Sequence, residues 1–390
     1  MIFEVPTLDA ADNAVLGMIH EQRGQLRYQV NQNPHRWTGF LRRNTFARAV
    51  QGSNSIEGYD ANLTDAVEII DDEKPESVEE ETQKALVGYR NAMTYILRIS
   101  DDSYAEIGVQ LIRSLHFMML SYDLTKLPGQ WRPGTVYVVR EQTGETVYEG
   151  PEATLIPEFM DELVAQMTAN ENEDAVIRGA MAHLNLAMIH PFKDGNGRMA
   201  RALQTLLLAR DGVLSPVFCS IEEWLGRNTQ AYYDILSAVG QGSWHPDNNA
   251  ISWIRFCLVA HYQQAATLIR RSQEFGRLWA EIDRLIKRHS LHDRFELALM
   301  NAAVGYRVRN NRYRADNNIS DVVASRDLKR LCDLGLLEPV GEKRGRYYVG
   351  AAPLRDIWRS VRGSSRAPNP YDLLRQRQPD MDQLPLPGLE

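Results

Sequence analysis

Three cysteines in 390 residues, Cys219, Cys257 and Cys332, with no CxxC pair among them, leave nothing from which to build a disulfide framework or a thiolate zinc site. They fit a reducing compartment, and Cys219 and Cys257 read as core positions. No run approaches the roughly eighteen uninterrupted apolar residues that a membrane helix needs. The opening "MIFEVPTLDAADNAV" has neither a basic n-region nor an apolar h-region, so the expectation is no secretory leader and a cytoplasmic location. Neither sign of charge dominates. With 24% charged residues and a net charge of -7, the chain offers no global case for nucleic-acid or membrane binding. Internal repeats are absent too.

What the chain has in abundance is helical periodicity. "AVLGMIHEQRGQLRYQV", "YAEIGVQLIRSLHFMML" and "LIPEFMDELVAQM" place apolar residues at three-to-four spacing. "EDAVIRGAMAHLNLAMIH" is apolar around most of its circumference, which marks a central, buried helix. Asp211-Gly212 should end the helix "GRMARALQTLLLARDG". One segment breaks the pattern. "GTVYVVREQTGETVYEG", Gly134 to Gly150, has β-branched and aromatic residues on both sides of "QTGE" and reads as a short β-hairpin set into a helical protein. From about Leu291 the order becomes helix, helix, then "GEKRGRYYV" as a turn between strands, the order of a small winged helix-turn-helix. Leu291 to Gly350 holds eleven Lys/Arg against eight Asp/Glu. A chain this long is expected to build more than one core. The divisions suggested are a helical region over 1–100, a core over 101–262, a connecting helix over 263–290, the winged helix over 291–352 and a partly disordered tail over 353–390.

The stretch "HPFKDGNGRMAR", His190 to Arg201, is poorly suited to a core, because glycine packs nothing and charged groups resist burial. His190 follows the buried helix and precedes Pro191, which biases it toward an extended backbone at the helix exit. An imidazole there can accept a proton near neutral pH. Gly195-Asn196-Gly197 precedes a helix, so a tight turn and first-turn amides together make an anion nest. Arg198 and Arg201, at i and i+3, point to one side. Cations are misplaced at a helix N-terminus unless a multiply charged anion sits there. Asp194 beside the nest would repel a bare phosphate, which makes sense when a hard cation such as Mg²⁺ bridges the two. Phe192 is the expected inward anchor. These residues read as a polyphosphate on nest and arginines, Mg²⁺ on Asp194 and a general base at His190. The pattern is not the GxxxxGK[ST] loop.

The same stretch resembles the HxFx[D/E]GNGRxxR signature of the Fic (Fic/Doc) family at every defining position, and the likeness extends over about Ile107 to Leu258. The resemblance implies an all-α, mainly helical bundle with one β-hairpin flap, and transfer of AMP from ATP to a protein Ser, Thr or Tyr hydroxyl with release of pyrophosphate. It implies that His190 takes the hydroxyl proton and that Asp194 holds Mg²⁺ against the α- and β-phosphates. Gly195, Asn196 and Gly197 would stabilise charge on the α-phosphate. Arg198 would grip the β-phosphate and Arg201 the γ-phosphate. The flap, around 135–148, would register the target protein by strand addition. Tyr232 and Tyr233 in "AYYDIL" are candidates for the adenine side, against simple packing into the bundle. A homodimer is the family expectation.

Upstream, "SNSIEG", Ser53 to Gly58, resembles the [S/T]xxxE[G/N] inhibitory motif of many Fic proteins. Ser53 and Glu57 are spaced i, i+4, which puts both on one face of a helix that Gly58 can end. A carboxylate reaching Arg201 would occupy the cation meant for the γ-phosphate; the competing reading is an ordinary surface acid. Three other functional readings compete: Glu57 aligning water for removal of AMP, transfer of another phospho-group, and a DNA-binding regulator whose Fic core is secondary. For the last, "VVASRDLKRLCDLGLL" is the candidate recognition helix, with Ser325, Arg326, Lys329 and Arg330 outward and Lys343, Arg344 and Arg346 on the wing. DNA contact would then lie within 319–349, with protein docking as the alternative. "QLPLPGL", Gln383 to Leu389, resembles short peptides that dock on bacterial sliding clamps, against a plain floppy tail. His183 reads as a helix-packing residue.

Overall fold

The structure, a computed structural model, describes residues 1–377 apart from 33–36, 141–144, 170–172, 213, 215, 343–344 and 364–366. The hairpin tip at 141–144, the wing residues Lys343 and Arg344 and the "QLPLPGL" stretch lie outside the described residues. In chain order the elements are α1 (Ala10–Arg27), α2 (Thr38–Ser55), α3 (Leu63–Ile70), α4 (Glu80–Ile99), α5 (Val109–Leu120), β1 (Tyr137–Arg140) and β2 (Glu145–Glu149). Then come α6 (Ile156–Ala169), α7 (Ala175–Ile189), α8 (Asn196–Arg210), α9 (Glu222–Arg227), α10 (Thr229–Gly240) and α11 (Ile251–Arg288). The chain continues through α12 (Glu296–Ala303), α13 (Asn310–Asn317), α14 (Asp321–Asp333), β3 (Leu337–Val340), β4 (Tyr347–Gly350), α15 (Ala352–Val361) and α16 (Pro370–Arg377). Among the described residues this is a mainly helical protein with two small antiparallel hairpins.

Packing divides the chain into two units. One contains the described residues of Met1–Asn33, Thr45–Leu268 and Arg366–Glu390, the other those of Pro34–Asn44 and Ile269–Ser365. At the centre of the first lies the pair α7 and α8. All of α7 except Arg178 and Ala187 is buried, as its all-round apolar sequence requires. Its N-terminus is capped by Asp174, whose Oδ1 accepts from the Val176 N–H at 2.8 Å. Trp253 Nε1 donates to the Ala180 carbonyl at 2.7 Å and so pins the start of α11 to α7. The N-terminal residues join this core, although no helical periodicity announces them. Phe3 is buried, its N–H donates to Asn185 Oδ1 at 2.9 Å, and its carbonyl accepts from Asn185 Nδ2 at 3.0 Å. Losing one side of such a buried pair costs about 1–3 kcal/mol.

Helix α11 is continuous from Ile251 to Arg288, so no break in secondary structure falls between 262 and 263. The segment read as a tail contains α15 and α16. In the first unit, the Tyr371 hydroxyl of α16 donates to the buried Asp12 Oδ1 at 2.8 Å, which fixes that helix. The second unit closes around Asp327, which accepts from Arg294 Nε at 2.7 Å and Nη2 at 3.0 Å and from the Tyr313 hydroxyl at 3.2 Å. Val308 pairs with Tyr348, adding a short third segment to the β3–β4 hairpin. On α14, Ser325, Arg326, Lys329 and Arg330 are all exposed.

Candidate active site

Helix α7 ends at His190, whose N–H closes on the Leu186 carbonyl and whose backbone is left-handed, φ 50° and ψ 56°. This corrects the extended conformation expected of a residue before proline. The helix C-cap sets the angle, and the left-handed well avoids the proline clash while swinging the ring out of the helix line. A non-glycine residue in that well carries a backbone cost of roughly 1–2 kcal/mol. His190 Nδ1 lies 3.2 Å from the Ala187 carbonyl. A carbonyl only accepts, so Nδ1 carries the proton and Nε2 is left with its lone pair. Burial and the nearby Arg132 charge hold the imidazole below its ordinary value, against the Ala187 contact, Glu57 and Asp194. The ring is therefore neutral at pH 7 and able to accept a proton.

The turn after it is built from within. Phe192 is fully buried, stacked at 3.6 Å between ring centroids on His116. The Asn196 side chain holds both backbone groups of Phe192, accepting from its N–H and donating to its carbonyl at 2.9 Å each. Asn196 thus acts here as the clasp of the loop. Gly195, at φ 77°, starts α8, and a side chain there would strike Leu120 Cδ1 at 2.9 Å.

Over this helix start lie two buried guanidinium groups. Arg198 is 0% exposed, and its Nε, Nη1 and Nη2 have no hydrogen-bond partner among the described residues. Its ring neighbour is Tyr59, at 5.1 Å, and its counter-ion is Asp194 Oδ1, at 3.7 Å. Arg201 is held from behind: Nε donates to Ser53 Oγ at 2.8 Å, Nη2 to the Ser53 carbonyl at 2.9 Å and also to Glu57 Oε1 at 2.6 Å. Its Nη1 has no such partner among the described residues. A Cβ on Gly197 would run into Glu57 Oε1, so the Glu57 carboxylate sits directly above the first turn of α8. An anion of the protein's own already lies over this turn.

Glu57 gets there differently from the expectation. Helix α2 ends at Ser55, and Glu57 sits on the closing turn, with its N–H on the Asn54 carbonyl at 3.0 Å and Gly58 at φ 80°. Ser53 and Glu57 still converge on Arg201, one from the last helical turn and one from beyond it. The approach of α2 is set by Gly52, where a Cβ would strike the Glu222 carbonyl oxygen at 2.5 Å.

Comparison with known proteins follows this geometry. Residues 106–208 match the model of the family described as Fic/DOC. Those residues are a Fic domain. Protein adenylyltransferase fic-1 of Caenorhabditis briggsae is 26% identical over 252 residues, 62% of this chain and 45% of that protein. Protein adenylyltransferase Fic of Drosophila willistoni is 29% identical over 241 residues, 60% of this chain and 43% of that protein. The chain thus spans less than half the length of these curated relatives. Among solved structures, a Fic family protein from Desulfovibrio desulfuricans G20 superposes with a TM-score of 0.56 at 22% identity, covering 90% of this chain and 99% of that one. Fic-1 (aa134 - 508) of Caenorhabditis elegans gives 0.50 at 22% identity over 67% of this chain and 72% of that one. At these identities the likeness is one of fold.

Around the Fic domain's motif stand residues that sequence reasoning missed. Arg132 is buried and donates from Nε to the His190 carbonyl at 2.8 Å, from Nη1 to Gly134 and from Nη2 to Pro151. One side chain thereby ties both feet of the hairpin to the histidine. His116 accepts from the Gly129 N–H through Nδ1 at 2.8 Å, so its Nε2 carries the proton given to the Asp194 carbonyl at 2.9 Å. Burial pushes its pKa down to about 4, which keeps it neutral. Lys126 lies 2.9 Å from Asp194 Oδ2. Burial alone would raise the Asp194 pKa; the Lys126 and Arg198 charges and the Gly195 N–H outweigh it and hold the carboxyl below its ordinary value.

Tyr232 and Tyr233 part company. Tyr232 is buried, its hydroxyl 2.9 Å from His183 Nε2, while Tyr233 is 44% exposed and donates to the Ile56 carbonyl at 2.7 Å, beside the Glu57 turn. His183 is a packing residue in a hydrogen-bonded interior.

Proposed function

We propose that this protein is an adenylyltransferase that moves AMP from ATP to a Ser, Thr or Tyr hydroxyl of a protein target, and that Glu57 restrains it. The observation that carries this reading is the set of four buried cationic N–H groups, three on Arg198 and one on Arg201, with no acceptor among the described residues. Leaving such donors unmet in the interior costs about 1–3 kcal/mol each. A triphosphate supplies acceptors in the right number and charge. The names of the relatives, protein adenylyltransferase, support the same reading.

On this reading the β- and γ-phosphates lie on Arg198 and Arg201, and the α-phosphate over the first turn of α8, where backbone amides have no intrahelical acceptor. Asp194 supplies one carboxylate, and no cluster of three His, Cys, Asp or Glu ligands exists among the described residues. A hard dication would therefore be held jointly by Asp194 and phosphate oxygens, which suits Mg²⁺. Bound there, Mg²⁺ would neutralise charge on the departing pyrophosphate. The target segment pairs with β1, whose edge away from β2 carries no strand among the described residues. His190 Nε2 takes the hydroxyl proton as the oxygen attacks the α-phosphorus and the bond to pyrophosphate breaks. With Glu57 on Arg201, the γ-phosphate is denied its cation, and a displacement of about 1 Å at the reacting centre costs roughly a hundredfold.

The test incubates wild type, Glu57→Gly and Glu57→Gly/His190→Ala with Mg²⁺ and α-³²P-ATP and reads label on protein. Label should appear with Glu57→Gly and fall by about 10²–10⁴-fold with the added His190→Ala. Equal label in the last two variants would remove the histidine from its role.

A further inference from the structure

The segment carrying Glu57 makes a second set of contacts in the cleft. Two residues on, the Tyr59 ring lies 5.1 Å from the Arg198 guanidinium, and the Tyr59 hydroxyl accepts a hydrogen bond from Lys126 Nζ at 2.8 Å. That same ammonium is 2.9 Å from Asp194 Oδ2, and it sits 5.5 Å and 5.6 Å from the ring centroids of Tyr59 and Tyr122. Lys126 is thus a charged group held on three sides, 17% exposed, with the brake segment supplying one of the three.

An ammonium at that distance takes the lone pairs of Asp194 Oδ2 that a dication, coordinating at about 2.0–2.1 Å, would use. The two positive charges also repel across a partly buried cleft, where screening is weak. They exclude one another. We propose that Lys126 is a positioning residue that holds the metal's place on Asp194 while the Glu57 segment is seated, with Tyr59 as its tether. The inference rests on the nucleotide-and-metal reading of the cleft given above. It makes the restraint two-pronged: Glu57 takes the cation of the terminal phosphate, and Tyr59, through Lys126, keeps the carboxylate from its metal.

A second counter-ion is in place for the displaced lysine. Glu81 Oε1 lies 3.8 Å from Lys126 Nζ, on an exposed side chain that can follow it. A long, flexible lysine can make such an exchange without moving the backbone. Linkage then requires reciprocity: if the seated segment weakens metal binding, bound metal loosens the segment by the same factor.

The experiment measures binding of an ATP analogue with a methylene between the α- and β-phosphorus atoms, by calorimetry on the full chain, once with saturating Mn²⁺ and once with chelator. Lys126→Met and Tyr59→Phe should each tighten binding by about tenfold with Mn²⁺, a shift of about 1.4 kcal/mol, and should not tighten it in chelator. Tyr59→Phe removes one oxygen and keeps the ring on Arg198, so it serves if Lys126→Met folds poorly. Unchanged or weaker Mn²⁺-dependent binding in both variants would overturn the proposal. Asp194→Asn separates the two levels. If it abolishes the gain from Mn²⁺ while Lys126→Met and Tyr59→Phe do nothing, the lysine proposal fails and the metal reading stands. If Asp194→Asn leaves the gain intact, the metal reading fails and takes the proposal with it.

Discussion

Two polar regions flank α8, and they are built to opposite rules. Between α7, α8, α10 and α11, groups close on one another: Tyr232 hydroxyl to His183 Nε2 at 2.9 Å, His183 Nδ1 to Gln204 Oε1 at 2.7 Å, Gln204 Nε2 to His261 Nε2 at 3.0 Å. Burial pushes both histidines down to about 3, so the chain of bonds is uncharged. At the N-terminal end of the same helix two arginines are charged, as deeply buried, and left partly open, with Arg198 Nε, Nη1 and Nη2 and Arg201 Nη1 lacking a hydrogen-bond partner among the described residues. A closed network fixes a fold; an open one stores binding energy for something that arrives later. The distinction is sharper than residue type, since histidine and tyrosine occur on both sides of it.

The largest effect expected from that contrast is at Arg198. Arg198→Met should cut label in the Glu57→Gly background by about a hundredfold or more, as loss of a transition-state donor does. Its melting temperature should not fall, because the guanidinium has no hydrogen-bond partner among the described residues. A marked fall in melting temperature would show that the open region is structural after all. His183→Leu should do the reverse. It strands the Tyr232 hydroxyl and Gln204 Oε1, lowers stability by about 2–3 kcal/mol in denaturant titrations, and leaves nucleotide affinity little changed. The smallest effect concerns His20, on the outer surface of the same unit, paired with Asp174 at 2.6 Å. The hydrogen bond to Asp174 raises the imidazole above its ordinary 6.5, against desolvation. The pair therefore stabilises below 6.5 and loses its contribution as pH rises through the raised value. A melting curve that declines over that window in wild type, and is flatter in His20→Gln, is the expected result.

Much of the site could be read from the chain because the motif is contiguous. His190 to Arg201 lie within a few turns, so i, i+3 spacing and two glycines already bring the histidine, the glycine turn and both arginines to one place. The Glu57–Arg201 pair, far apart in sequence, was reachable because its motif repeats a known spacing. Arg132 was not. Its partners are three backbone carbonyls, which every residue possesses, so no pattern of side chains betrays them. His116, Lys126 and Tyr59 were hidden for a similar reason: helix α5, the loop after it and the segment beyond α2 meet only in three dimensions. The N-terminal Phe3 escaped because two hydrogen bonds to Asn185, rather than periodicity, hold it. The left-handed His190 reflects a helix C-cap overriding a local preference. Order at α15 and α16 was missed because proline and polar residues between them dominate the composition.

Gly52, which lies against the Glu222 carbonyl, also meets Gly226. A Cβ on Gly226 would come within 2.8 Å of the Gly52 Cα, so here two backbones touch with no side chain between them. The depth at which α2 lies, and hence how firmly Glu57 reaches Arg201, is fixed by two missing methyl groups rather than by any charge. Such a set point can drift by small steps. Bulk added at this contact, remote from His190, would lift the helix by fractions of an ångström and retune how firmly Glu57 is seated on Arg201, while every residue of the motif stays as it is.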